Sequence, residues 1–94
     1  MPFFVYILRS ESTGGYYVGH TDDLSRRISQ HNDPDYHGSQ HTKRHKGPWV
    51  PVYSEQFDMR SEAMVREKTI KAKKSRSYIE FLISSRQSPE GLRD

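Results

Sequence analysis

Two short runs of aromatic and β-branched residues, separated by a turn that contains two glycines, constrain the fold more than any other sequence feature. The first run, residues 3–8, carries no polar group on its side chains except the hydroxyl of Tyr6. The second run, residues 16–21, follows Gly14 and Gly15. Such runs are typical of β-strands, and a strand that is apolar in both alternating positions is covered on both faces. We therefore predict an antiparallel hairpin whose first strand lies at the centre of a sheet.

The rest of the chain carries the patterns of three helices and one further strand. Each predicted helix begins at Ser, Thr or Asp, whose side chains accept hydrogen bonds from the free N–H groups of a first helical turn. Pro51, near the start of the third strand, favours an edge position because proline cannot donate to a strand ladder. The predicted elements are strands 3–8, 16–21 and 50–57, and helices from Thr21 or Asp22 to about Asn32, from Ser61 to about Lys74, and from Ser75 or Ser77 to Ser84.

The order β-β-α-β-α-α predicts an α/β fold of the α+β type, in which a three-stranded antiparallel sheet is flanked by helices. A length of 94 residues is typical of a single domain. We assign residues 1–84 to this domain and residues 85–94 to a flexible, polar C-terminal tail. Residues 33–47 are polar and predict a loop with room for one helical turn.

Positive charge is concentrated in two parts of the sequence, although the formal net charge is only +3. Residues 60–76 contain seven basic residues and two acidic ones, and a second cluster lies at residues 43–46. Clustered positive charge suits the phosphate backbone of a nucleic acid, and a solvated helix face is the alternative interpretation. The candidate nucleic-acid-binding residues are Lys43, Arg44, Lys46, Arg66, Lys71, Lys73, Lys74 and Arg76.

The composition also excludes several classes of site. The sequence has no cysteine, which excludes disulfides and thiolate metal sites. His37, His41 and His45 recur every four residues, but no acidic residue falls among them, so we interpret them as part of a phosphate-facing loop and not as a zinc site. The longest apolar run is too short to span a bilayer, and the first residues lack the basic start and the longer apolar stretch typical of a signal peptide. We expect a cytoplasmic protein with no membrane association.

Helical periodicity places three polar residues at or beside the apolar faces of the predicted helices, where they could contribute to a functional site. Arg27 and His31 lie beside the apolar face of the first predicted helix, whereas Arg26 points away from it. Glu67 lies on the most apolar face of the second predicted helix. A carboxylate in that position needs a partner, a metal ion or an elevated pKa. An ion pair with Lys71, four residues further on, is the simplest partner.

A group of five residues contains the chemistry needed to cleave a phosphodiester bond. That reaction needs an oriented water, a proton acceptor, positive charge beside the phosphate and stabilisation of the leaving oxygen. Arg27 offers a planar pair of donors for phosphate oxygens, and Glu67 offers an oxygen ligand for Mg²⁺. Tyr6 and Tyr17 could position the water, and either becomes a base if its pKa is lowered by Arg27 or a metal ion. Taken singly, each residue also fits a structural role, with His31 as a packed or capping histidine.

The order and spacing of these residues resemble the GIY-YIG nuclease domain family. Phe4-Val5-Tyr6 stands where the GIY element would be, with phenylalanine in place of glycine, and Tyr17-Val18-Gly19 stands where YIG would be. Residues 23–31 resemble the first helix of the family, and residues 60–68 resemble the helix that carries its metal-binding glutamate. The resemblance covers roughly residues 3–83 and is greatest to the small stand-alone bacterial members.

The resemblance implies an active site and a reaction. By resemblance, Tyr6, Tyr17, Arg27 and Glu67 take the active-site roles of the family, and His31 assists. The phenolate of the first tyrosine is the candidate general base in the family. The implied function is a divalent-metal-dependent endonuclease that hydrolyses DNA in repair or recombination, with one Mg²⁺ or Mn²⁺ at Glu67. A protein partner that supplies substrate specificity is compatible with so small a domain.

Two other functions stay open at this point. Many nucleases of the family carry a further polar residue, often asparagine, after the glutamate, whereas this sequence has no asparagine after Asn32. The first alternative is therefore a nucleic-acid-binding module of the same fold without turnover, and the second is a protein-interaction domain whose basic surface meets an acidic partner. The sequence does not determine whether the substrate is DNA or RNA, or which nucleic-acid structure is preferred. It also leaves open which of the two tyrosines is the base, and the oligomeric state.

Overall fold

Three strands and three helices follow one another in the predicted order. The computed structural model describes residues 2–36 and 47–87, so most of the predicted loop and residues 88–94 of the predicted tail lie outside the described residues. Within those residues, no helix is both long enough and apolar enough to cross a membrane. The elements are β1 (Phe3–Ser10), β2 (Tyr16–Thr21), α1 (Leu24–Asn32), β3 (Trp49–Phe57), α2 (Arg60–Lys73) and α3 (Arg76–Gln87).

The three strands form one antiparallel sheet in the order β2-β1-β3, which confirms the central position predicted for β1. In this register Tyr6 lies opposite Gly19 of β2 and Ser54 of β3. Pro51 lies in an edge strand, as predicted, close to a shift in the register between β1 and β3. The outer edges of β2 and β3 are therefore the two edges of the sheet.

The sheet is covered on both faces, and each face has its own apolar cluster. Because neighbouring residues of a strand point to opposite faces, Val5 and Ile7 point towards α2 and α3, whereas Tyr6 and Leu8 point towards α1. Each large apolar side chain that is fully buried in this way contributes about 1.5–3 kcal/mol to folding. The first cluster consists of Val5, Ile7, Val18, Tyr53, Ala63, Ile70 and Leu82, and the second is built around Tyr6, Leu8 and Trp49.

Helix α1 begins at a different cap from either of the two predicted. Its N-cap is Asp23, whose carboxylate accepts a hydrogen bond from the backbone N–H of Arg26 at 3.0 Å. Thr21 is the last residue of β2, and its hydroxyl oxygen accepts the N–H of Asp23 instead. The carboxylate of Asp22 is engaged by the Arg26 side chain at 2.6 Å. The predicted caps were wrong because Thr21 still belongs to β2 and the Asp22 carboxylate is engaged by the Arg26 side chain, so the helix begins after Asp23.

The predicted cap of α2 was also wrong, since Ser61 lies inside the first turn of the helix. The N-cap is Met59, and its backbone N–H donates to the carboxylate of Glu62 at 3.2 Å. At the other end, Lys74 adopts a left-handed conformation with φ of 48°, and its N–H donates to the carbonyl of Lys71. This conformation ends α2 and turns the chain into α3.

Helix α3 begins at the first of the two predicted starts. The hydroxyl of Ser75 accepts the backbone N–H of Tyr78 at 3.1 Å, as a capping serine does. Ser77 lies inside the helix, so the alternative predicted start at Ser77 is wrong. The helix continues to Gln87, three residues beyond the boundary expected at Ser84.

The side chain of Asn32 joins the end of α1 to the start of β3. Its amide nitrogen donates to the carbonyl oxygen of Trp49 at 2.9 Å, and its amide oxygen accepts the N–H of Trp49 at 2.8 Å. Trp49 is 3% exposed. Asn32 therefore satisfies both backbone groups of a buried residue that begins an edge strand.

We predict that Asn32→Ala lowers the free energy of unfolding by about 1–3 kcal/mol, because it removes two hydrogen bonds to the backbone of the buried residue Trp49. Asn32→Asp keeps an acceptor for the N–H but has no donor for the carbonyl, so its loss should be intermediate. Guanidinium unfolding followed by the fluorescence of Trp49, the single tryptophan, measures both effects. Ser29→Ala, an exposed substitution on the same helix, is the control, and a loss in Asn32→Ala no larger than in this control contradicts the prediction.

Candidate active site

A buried hydrogen bond joins the first strand to the first helix. The hydroxyl of Tyr6 lies 2.8 Å from Nε2 of His31. Tyr6 is 1% exposed and His31 is 2% exposed. The helical periodicity predicted His31 beside the apolar face of α1, and the structure confirms this position. The bond satisfies a polar group on each side chain within an otherwise apolar cluster.

Tyr17 completes an aromatic cluster with these two residues. Its ring centre lies 4.8 Å from that of His31, in an edge-to-face arrangement, and 6.3 Å from that of Tyr6. Tyr17 is half-buried, so one side of the cluster reaches solvent. The two phenols thus lie on the same side of the sheet, as the hairpin predicted.

Gly19 allows the ring of Tyr6 to lie over strand β2. A Cβ atom at this position would be 2.7 Å from the hydroxyl oxygen of Tyr6, 2.9 Å from its Cζ and 3.1 Å from Cε2 of Tyr17. Contacts under about 3.0 Å are strongly repulsive, so any larger residue would push the phenol away from His31. A glycine within a strand often marks the close approach of another group, and here that group is the ring of Tyr6.

Arg27 lies on the sheet side of α1, and Arg26 lies on the solvent side, as the helical periodicity predicted. Arg26 is exposed, whereas Arg27 is half-buried. The Nη1 of Arg27 donates to the side-chain oxygen of Gln30 at 2.9 Å. Arg27 is also close enough to Tyr6 for its hydrogen bonding and its charge to affect the pKa of the phenol. The structure therefore brings Tyr6, Tyr17, Arg27 and His31 together.

Tyr6 keeps its proton at neutral pH. Burial raises the pKa of its phenol far above the ordinary value, and neighbouring Tyr17 adds to the rise. Arg27 opposes the rise but does not cancel it. In the tautomer that carries its proton on Nδ1, His31 can accept the phenol proton at Nε2. The geometry therefore favours a tyrosine that passes its proton to a histidine over a tyrosine that is a phenolate in the free protein.

Glu67 lies in the layer on the other side of the sheet. Its Oε1 is 2.5 Å from Nδ1 of His20, and its Oε2 is 2.5 Å from Nζ of Lys71. His20 lies opposite Val5, whose side chain points towards α2. The Tyr6 hydroxyl lies over Gly19, the neighbour of His20 in β2. The two halves of the candidate site therefore meet at successive residues of one edge strand.

His20 is the site residue that the sequence interpretation missed. It directly follows the Tyr17-Val18-Gly19 motif and alternates with Val18, which packs against α2. The sequence alone does not reveal that Glu67 lies beside it, because that contact joins residues 47 positions apart. The predicted ion pair of Glu67 with Lys71 is confirmed.

The carboxylate of Glu67 is ionised and suits a hydrated divalent cation. Burial by itself would raise its pKa, but the hydrogen bonds from Lys71 and His20 bring the pKa below the ordinary value. Mg²⁺ keeps several waters and needs only one or two carboxylates, and Mn²⁺ also accepts carboxylate and water ligands. The described part of the chain contains no group of three or more His, Cys, Asp or Glu residues that could cage a metal ion. Glu67, with His20 beside it, therefore fits an ion that retains most of its water ligands.

Two of the predicted nucleic-acid-binding arginines have partners within the protein. Arg66 forms a bidentate pair with Glu55, with both N–O distances at 2.9 Å, and this pair raises the pKa of Arg66 above its ordinary value. Arg76 pairs with Glu80 at 3.0 Å and lies over the ring of Tyr16. Both guanidinium groups thus contribute to packing, and a role in binding nucleic acid stays a prediction for each.

The three predicted lysines of this region are exposed near the end of α2, whereas Lys43, Arg44 and Lys46 lie outside the described residues. Two open cavities border the exposed lysines. The first, of about 410 Å³, lies between β2, the end of α2 and α3, and its lining includes Tyr17, Lys71 and Lys74. The second, of about 500 Å³, has His20, Glu67, Lys68 and Lys71 in its lining. Lys71 borders both cavities.

Comparison with known proteins places most of the chain in one family. Residues 2–79 match the family model described as the GIY-YIG catalytic domain. The UPF0213 protein VNG_2274C of Halobacterium salinarum is 43% identical over 67 residues, which cover 71% of this chain and 82% of that protein. The UPF0213 protein SSP2268 of Staphylococcus saprophyticus is 38% identical over 68 residues, which cover 72% of this chain and 78% of that protein.

A solved structure has the same fold. The solution NMR structure of the UPF0213 protein BH0048 from Bacillus halodurans is similar with a TM-score of 0.57 and 34% sequence identity. The match covers 95% of this chain and 89% of that one. The similarity therefore extends over nearly the whole described chain, including both layers that contribute to the candidate site.

We predict that Gly19→Ala destabilises the protein by about 1–3 kcal/mol, because the new methyl group would collide with the buried phenol of Tyr6. Tyr6→Phe removes the nearest atom, the hydroxyl oxygen at 2.7 Å, but leaves Cζ at 2.9 Å. The cost of Gly19→Ala should therefore be smaller, though not zero, in the Tyr6→Phe background. Denaturant unfolding of the four proteins in this double-mutant cycle measures the difference. Equal costs in the two backgrounds would show that the hydroxyl is not the obstacle.

We predict that Glu67 titrates below the ordinary glutamate pKa of 4.5. Since its pKa is lower in the folded than in the unfolded state, its contribution to stability is complete above the unfolded value and is lost as the pH falls through the folded value. Side-chain carboxyl NMR shifts against pH measure the folded value directly. Lys71→Gln should raise this pKa more than Lys68→Gln does, since of these two lysines it is Lys71 that donates to the carboxylate. A larger rise in Lys68→Gln is the opposite of the expected result.

Proposed function

The chain belongs to the GIY-YIG catalytic domain family, and from this premise we propose that it is a divalent-metal-dependent endonuclease that hydrolyses phosphodiester bonds in DNA. The family gives the chain a nuclease-type fold. The observation that carries the proposal is the buried bond between Tyr6 and His31, which lies beside a half-buried arginine. The bond places a proton acceptor, Nε2 of His31, directly against the phenol of Tyr6, which is the arrangement that general base catalysis needs.

The proposed proton path uses both members of this bond. A water that attacks phosphorus must lose a proton as its oxygen bonds to the phosphate. In the proposed step the Tyr6 oxygen accepts that proton while its own proton moves to Nε2 of His31. Tyr6 thereby acts as a base without first becoming a phenolate, which is consistent with the raised pKa of its phenol. After the step Tyr6 is again a phenol and His31 carries the positive charge.

Arg27 and Tyr17 supply binding and orientation in this proposal. The planar guanidinium of Arg27 can donate to two phosphate oxygens and stabilise the charge that develops on them. The half-buried ring of Tyr17 lies between His31 and solvent, where its hydroxyl can help to orient the attacking water. Both residues approach from the same face of the sheet as Tyr6.

Glu67 and His20 would hold the cation, either Mg²⁺ or Mn²⁺. When bound, such an ion polarises a phosphoryl oxygen and stabilises the leaving alkoxide. Glu67 is suited to this role because its carboxylate is ionised and is fixed by two hydrogen bonds. The scissile phosphate would lie at the edge of β2, between the two layers.

We propose that the substrate backbone follows the exposed lysines Lys71, Lys73 and Lys74. The described residues form a small domain, which has little surface to place in a groove, so we expect little sequence preference and a steep dependence of binding on salt. DNA is the favoured substrate and RNA the alternative. We further propose that the protein acts in DNA repair or recombination. A protein partner would supply its substrate specificity.

The second candidate is a nucleic-acid-binding module of the same fold that does not cleave. One observation favours it, namely that both carboxylate oxygens of Glu67 already have protein partners and do not require a metal ion for their satisfaction. In that case Glu67 would have only a structural role, and the lysines would supply the affinity.

A cleavage assay separates the two candidates. Labelled duplex, single-stranded and branched DNA, and RNA of the same sequence, are incubated with Mg²⁺, Mn²⁺ or EDTA. We predict metal-dependent cleavage that Glu67→Gln abolishes and that Tyr6→Phe lowers by about 10²–10⁴-fold, the usual contribution of acid–base catalysis. Glu62→Gln, on the same helix, is the matched control because glutamine preserves its capping bond. Binding without cleavage of any substrate would support the second candidate instead.

A further inference from the structure

Lys71 holds Glu67 with a contact that can be released at little cost. The ammonium of Lys71 is 2.5 Å from Oε2 of Glu67, but the Lys71 side chain is 51% exposed whereas that of Glu67 is 16% exposed. His20, on the other carboxylate oxygen, belongs to a strand and is 23% exposed. Lys71 can therefore move into solvent without loss of packing, while Glu67 and His20 keep their positions.

A divalent cation and the Lys71 ammonium compete for the same carboxylate. Oε1 of Glu67 is engaged by His20 and Oε2 by Lys71, so a cation that binds the carboxylate must share an oxygen or replace a partner. Two cations that approach one oxygen repel each other. An ion pair with one exposed member contributes only about 0.2–1 kcal/mol, so Lys71 is the partner that gives way.

The position of Lys71 gives its released ammonium a second binding place. Lys71 borders the cavity that contains Glu67, and it also borders the neighbouring cavity of about 410 Å³, where Tyr17 and Lys74 lie. A lysine has four carbons between its backbone and its charge, so its ammonium can move from one cavity to the other by side-chain rotation. Next to Lys74 it would form a pair of positive charges suited to a phosphate.

We propose that Lys71 is an exchangeable counter-ion, which neutralises Glu67 in the metal-free protein and, once a divalent cation binds, is released to the phosphate backbone beside Tyr17. This inference rests on the proposed metal-dependent function and adds a regulatory property to it. Since the same lysine cannot serve both groups, cation binding and nucleic-acid binding strengthen each other, and by linkage the strengthening is the same in both directions. If instead Lys71 and Glu67 form an ordinary helical pair, the two binding events are independent of Lys71.

The first test measures the affinity for Mn²⁺ alone, by titration calorimetry without nucleic acid. Lys71→Gln should bind Mn²⁺ up to about fivefold more tightly than the wild type, since it removes the competing ammonium. Lys68→Gln is the matched control, because it removes the same charge from the neighbouring position in the same cavity, and it should change the affinity by less than about twofold. Equal affinities of the two variants would overturn the inference.

The second test measures the coupling to nucleic acid. The Tyr6→Phe background is used because it should slow cleavage, and the affinity for a fixed oligonucleotide is measured with and without Mn²⁺. The ratio of the affinities with and without Mn²⁺ is compared between the Tyr6→Phe single variant and the Tyr6→Phe, Lys71→Gln double variant. This ratio should be up to about fivefold larger in the single variant, which keeps Lys71. An equal increase in both proteins would show that Lys71 does not couple the two sites.

Glu67→Gln separates failure of this inference from failure of the proposed function. Wild-type protein that binds Mn²⁺, together with Glu67→Gln that does not, supports the proposed cation site whatever Lys71 does. In that case equal behaviour of Lys71→Gln and Lys68→Gln refutes only the exchange. Wild-type protein that binds neither Mn²⁺ nor Mg²⁺ refutes both the exchange and the metal-dependent function.

Discussion

The buried hydrogen bond between Tyr6 and His31 is the constraint around which the α1 side of the protein is organised. Two polar groups in an apolar cluster are stable only while they satisfy each other, so α1 must lie at the angle that brings His31 over the central strand. That angle also brings Arg27 to the sheet and leaves Arg26 in solvent. A requirement of core stability therefore also fixes the geometry of the candidate catalytic residues.

The candidate site is divided between the two faces of a thin sheet. Tyr6 and its partners belong to the α1 layer, and Glu67 belongs to the α2 layer, held by His20. The two groups lie at successive residues of β2, because the Tyr6 ring lies over Gly19 and His20 follows it directly on the opposite face. An edge strand is the one place where groups from both faces can approach a common ligand, and a sheet with another strand outside β2 would keep them apart.

Local patterns predicted the elements and the sides of the helices, whereas long-range contacts were not predictable. The central position of β1, the order of elements and the inward position of His31 follow from apolar runs and helical periodicity, which depend only on near neighbours. The predicted N-cap of α1 was wrong because Thr21 belongs to β2. The predicted N-cap of α2 was wrong because the helix begins after Met59, whose N–H donates to Glu62, and not at Ser61. The contacts of His20 and of Asn32 join distant parts of the chain, and no local pattern encodes them.

The two hydrogen bonds between the side chain of Asn32 and the backbone of Trp49 also affect how the connection between α1 and β3 can change in evolution. They fix the two ends of the segment between α1 and β3, so the length of that segment does not determine where either element lies. Doubling the length of a flexible connection costs only about 0.6 kcal/mol of closure entropy. Relatives could therefore lengthen or shorten this connection, or change its charge, while Tyr6, His31 and Arg27 remain in place.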